Sequence, residues 1–106
     1  MPKYLIHASY TAEGLKGLQK DKASGRQQAV RQVLESVGGK LESFYFAFGE
    51  DDVVTIVDLP DNIAASAVSL AASATGLVRT RTTALLTPEE VDKALGTTVR
   101  FRGAGA

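Results

Sequence analysis

Between Phe44 and Asp61 the chain reads FYFAFGEDDVVTIVDLPD: two apolar runs joined at Gly49, then a proline and an aspartate suited to capping a helix. Two such runs around so short a polar turn fold as a β-hairpin. The hairpin sits in the middle of 106 residues, with a strand and a helix before it and a helix and a strand after it. The element order is therefore βαββαβ, an α+β arrangement with a four-stranded antiparallel sheet. Both crossovers have the same right hand, so both helices fall on one sheet face. The other face has to be covered by something else.

The flanking segments carry their own signals. Lys3–Tyr10 reads as a strand, with Leu5 and Ile6 at its centre. Thr11 is placed to cap a helical turn over Ala12–Gln19, weakened by Gly14 and Gly17. A polar break, KDKASG, follows; Ser24 with Gln27 three residues on reads as a capping box for a helix carrying Val30, Val33, Leu34 and Val37. Gly38-Gly39 ends it. The hairpin strands are expected over Lys40–Phe48 and Asp52–Leu59, the second with apolar residues on both faces and hence central. Asp61 opens a helix that Gly76 closes, and Leu77–Leu86 is the last strand. Thr87-Pro88-Glu89-Glu90 begins a short third helix ending at Gly96, with a tail from Thr97.

Composition narrows the function classes. Twelve basic residues balance twelve acidic ones, which leaves no long-range field to steer nucleic acid or an anionic membrane. With no cysteine there is no disulfide, thiolate metal site or cysteine nucleophile, and with one histidine no His-rich metal site. The uncharged stretch from Asn62 to Val78 contains too many Ser, Thr and Asn residues to face lipid along its length. These features fit a single cytoplasmic domain over residues 1–96 with no cofactor. The missing charges also set this helix apart, since a solvent-facing helix normally has a charged outer side.

Several segments in order resemble the GYD-domain family, small bacterial proteins of uncharacterised function. They are Tyr10-Thr11-Ala12-Glu13-Gly14, Gly38-Gly39-Lys40-Leu41 leading to Phe44-Tyr45, the hairpin Phe48–Pro60 with Gly49 and Asp52, and Val78-Arg79-Thr80 continuing to Thr87-Pro88-Glu89-Glu90. The family's naming motif has a tyrosine between glycine and aspartate, where this chain has Asp51, so no role of that tyrosine carries over. The resemblance implies a ferredoxin-like fold whose copies pair as a dimeric α/β barrel, and it implies no established activity. The hairpin is also similar to that of the small effector-binding domain of leucine-responsive regulators, which bind amino acids between subunits.

Candidate site residues follow from side-chain chemistry. His7 is the only imidazole, on a strand face shared with Leu5 and Ser9. Tyr10 and Tyr45 can donate phenolic hydrogen bonds into a pocket. Arg79 and Arg81 share a face of the last strand and can hold a carboxylate or phosphate, although on an edge strand Arg81 also blocks sheet extension. Asp51 and Asp52 are neighbours in the hairpin turn, where short carboxylates bond to backbone. No nucleophile elbow, phosphate loop or metal-ligand spacing is present, so no catalytic residue is assigned. The expected partner is a second copy of the chain, with a small molecule in or beside the cavity between sheets. A cofactor-independent enzyme using His7 as a base is the alternative, and a purely structural oligomer the third reading. The open face is expected to carry either Phe44, Phe46 and Phe48 or Leu41 and Tyr45 from the second strand. From the third it is expected to carry either Val53 and Val57 or Val54 and Ile56.

Overall fold

The structure, a computed structural model, describes residues 1–106. Its elements are β1 (Lys3–Tyr10), α1 (Ala12–Ser36), β2 (Lys40–Phe46), β3 (Val53–Asp58), α2 (Asn62–Ala74), β4 (Val78–Leu85) and α3 (Pro88–Leu95). The strands form one antiparallel sheet in the order β2-β3-β1-β4, the ferredoxin-like arrangement, with β3 and β1 central.

Caps fix the helix starts. The Thr11 hydroxyl accepts from the Gly14 amide, the Asp61 carboxylate from Ala64, and Thr87 and Glu90 form a reciprocal capping box. At the C-terminus of α1, Gly38 takes φ 78°, and the Gly38 and Gly39 amides bond to the Glu35 and Leu34 carbonyls in a Schellman motif. The break inside α1 falls at Lys22 alone (φ 66°, ψ 167°), and helical geometry resumes at Ala23. Ser24 thus lies within the helix, and the expected capping box with Gln27 does not form. The hairpin strands are shorter than expected, with β2 ending at Phe46 and β3 starting at Val53.

Between sheet and helices lies a small core of Tyr4, Ile6, Val57, Leu59, Leu34 from α1 and Ala65 from α2. Register assigns the faces. On the helix side Tyr4 pairs with Val57 and Ile6 with Thr55, which puts Val53, Thr55 and Val57 inward and Val54, Ile56 and Asp58 outward. In β2 an irregularity between Leu41 and Ser43 breaks the two-residue period. Leu41 and Phe44 therefore share the helix face with Phe46, Phe44 and Phe46 stack edge-to-face at 5.4 Å, and Tyr45 alone of the large residues faces outward. Neither of the two expected groupings for this strand holds intact, because each assumed unbroken alternation. The Ser43 carbonyl at the bulge accepts a bond from the Thr55 hydroxyl at 2.5 Å.

The start of α1 is pressed against the turn before β4. The Thr11 amide and hydroxyl both bond to Leu77 O, at 3.0 and 3.2 Å, and the hydroxyl also reaches Gly76 O at 2.9 Å. Gly14 is buried in this contact, with the Leu77 carbonyl where a Cβ would stand. No helix is long and apolar enough to cross a membrane.

Candidate functional site on the open sheet face

The sheet face away from α1 and α2 is built of cross-strand rows. One row runs Tyr45, Val54, His7, Arg81, and a second Ser43, Ile56, Leu5, Thr83. A third runs Lys40, Asp58, Lys3, Leu85. Beyond the first row Ser9 pairs with Arg79. The face is thus apolar at its middle and charged at both ends.

At one end the Lys3 ammonium bonds to Glu42 at 2.8 Å and to Asp58 at 2.9 Å. Glu42 chiefly, then Asp58, raises the Lys3 pKa above its ordinary value. At the other end Arg81 bonds to the Asp51 carboxylate at 2.6 Å, and the Ser9 hydroxyl donates to the same group at 3.2 Å. The Arg81 bond, helped by Ser9 and opposed by partial burial, holds the Asp51 carboxyl below the usual carboxylate range. Asp52 turns the other way and accepts from the Tyr10 amide at 2.8 Å. The hairpin turn is therefore tied to β1 and β4 by two adjacent carboxylates.

These bonds set a pH dependence. A carboxyl whose pKa is lower folded than unfolded stabilises the fold above its unfolded value, about 3.9, and loses that contribution as pH falls through the folded value. Replacing Asp51 with Asn should therefore flatten the acid limb of stability, with the parent losing more than the variant between about pH 5 and about pH 2. Urea unfolding across that range checks it, and parallel acid limbs would contradict the role given to Asp51.

His7 lies between Val54 and Arg81, and its Nδ1 is buried without a hydrogen-bond partner. No group of this chain therefore orients the ring through Nδ1. Its register across from Val54 and Arg81 places the imidazole on the open face. Arg79 has no carboxylate within 4.0 Å and is exposed, while Tyr45 is 70 % exposed. Of the four residues singled out from sequence, His7, Tyr45 and Arg79 share this face. Tyr10 does not; it lies on the helix side, with its ring under Gly14. Gly49 marks the hairpin turn and touches nothing a Cβ would meet.

The Asp51–Arg81 pair was not legible in sequence. Thirty positions separate the partners, and Asp51 looks like a turn residue until β4 is placed beside β1. No curated protein and no solved structure matches the chain. The family model for the GYD domain matches residues 4–95, which takes in part or all of every strand and helix from β1 to α3. The chain therefore belongs to the GYD domain family.

Proposed function

We propose that the protein associates with a second copy through the open sheet face and binds a small carboxylate with an apolar body at the edge of that interface. The observation that carries this reading is the row Tyr45, Val54, His7, Arg81 with Arg79 beside it. It sets an imidazole and an uncommitted guanidinium against an apolar floor of Leu5, Val54 and Ile56. A guanidinium holds a carboxylate through paired, charge-assisted bonds, and the floor takes the apolar body. Burial between two copies strengthens those bonds by excluding water. The catalytic alternative lacks a group to orient His7, since nothing bonds to its Nδ1.

Native mass spectrometry of freshly purified protein tests the reading. The expected result is a two-chain species carrying a small acidic ligand. The double replacement His7→Gln and Arg79→Gln should strip the ligand and leave two chains associated. A ligand retained in full by that variant would place it elsewhere, and a bare species under all conditions would remove the binding half of the proposal.

A further inference from the structure

The last fifth of the chain poses a separate packing problem. α3 is fixed locally: Glu90 N donates to the Thr87 hydroxyl at 3.2 Å, Thr87 N to the Glu90 carboxylate at 2.9 Å, and Pro88 opens the helix. The second of these bonds, from the Thr87 backbone amide, is the chief cause that holds the Glu90 carboxyl below its ordinary range. Yet α3 buries none of its residues and makes no extensive contact with another element of its own chain. Val91 and Leu95 stand one turn apart on one side of it, and Leu86, Val99 and Phe101 flank it, all exposed. An isolated helix of eight residues is marginal in water, so so complete a cap on an unpacked helix points to a docking surface.

A receiving surface exists on the same molecule. Between α2 and the helix side of β4 runs a groove of about 590 Å³, lined among others by Ala65, Ser66, Leu70, Thr82 and Ala84. It continues across α2 to Ile63 and Ala67. Ile63 and Leu70 are 80 % and 71 % exposed, seven residues apart and so on one side of the helix. No ionisable side chain occurs from Asn62 to Val78, so an apolar helix face seats there without stripping water from a charge. Only Leu86 and Thr87 join β4 to α3, and the capping box fixes that junction. The arm is accordingly held off its own groove. The chain extends to 57 Å with a radius of gyration of 16.9 Å, against about 13 Å for a compact domain of this size.

We infer that α3 and the tail after it dock in the α2–β4 groove of a second copy, an exchange of C-terminal arms. A reciprocal exchange about a twofold axis forms the contact twice, which moves two small patches toward the roughly 800 Å² per partner of a stable interface. This surface lies on the helix side of the sheet and is separate from the open face.

The chain has no cysteine, so single thiols can be placed at will. Full-length chains carrying Leu95→Cys on the arm are mixed with chains carrying Leu70→Cys in the groove, oxidised, and run without reductant. A control mixture replaces the groove variant with Leu15→Cys, exposed on α1. The inference expects a two-chain cross-link with Leu70→Cys at a yield at least about tenfold above the control, as docking raises the local thiol concentration. Equal yields, or none, would overturn it. A double variant carrying both thiols on one chain supplies the second check: a disulfide closed within a single chain would show the arm in its own groove and overturn the exchange.

Discussion

Replacing Val57 with Asp is expected to abolish folding, while the same change at Ile56, its neighbour, leaves a folded chain whose association is weakened. Val57 is fully buried on the helix side of β3, packed with Tyr4, Leu34 and Leu59. A carboxylate there has no partner, and an uncompensated buried charge costs roughly 3–5 kcal/mol, a large share of the stability of a domain this small. Ile56 points to the open face, opposite Leu5 and Ser43. In a single chain Asp at that position meets water and costs little; in an associated pair it faces the other copy's apolar surface. Circular dichroism and sedimentation velocity on both variants separate the outcomes. An Ile56→Asp protein as associated as the parent would show that the open face is not the joint.

A second pair concerns α1. Gly14→Ala is expected to destabilise the fold by about 2–4 kcal/mol, combining overpacking with strain on the hydrogen bond that Leu77 O accepts from Thr11. The new methyl would overlap the Leu77 carbonyl and come within 3.1 Å of the Tyr10 ring. That carbonyl accepts from the Thr11 amide, so it cannot retreat without losing the bond that docks α1 on β4. Gly17→Ala, three positions on, meets nothing within 4 Å and should stabilise by about 0.5–1 kcal/mol, the ordinary gain of alanine in a helix. Denaturant midpoints for the two variants should move in opposite directions. Movement in the same direction would mean that helix propensity, not the Leu77 contact, governs both sites.

The contrast between these two glycines shows where sequence reasoning ends. Element order, the Thr11, Asp61 and Thr87 caps and the Gly38-Gly39 stop are local patterns, and each was legible from residues a few positions apart. The central place of β3 was legible too, because both of its faces are apolar. Gly14 and Gly17 look alike in sequence, as two weak points in a helix; only the approach of Leu77, more than sixty positions away, separates them. The β2 bulge shifted Leu41 to the face of Phe44, and alternation alone gives no sign of an extra residue. Tyr10 is a different case: it alternates with His7 and Ser9 along the unbroken β1, so the period of two alone puts it on the opposite face from His7.

The open face, with Leu5, Tyr45, Val54, Ile56 and Leu85 on it, is the surface proposed to join two copies. Burying each large side chain contributes roughly 1.5–3 kcal/mol, and such groups from both copies together can offset the entropy lost on association. Sedimentation equilibrium of the parent protein at micromolar concentration tests this most directly. The expected mass is at least two chains, reduced to one by Ile56→Asp combined with removal of residues 87–106; a folded parent sedimenting at 11.2 kDa would rule the joint out.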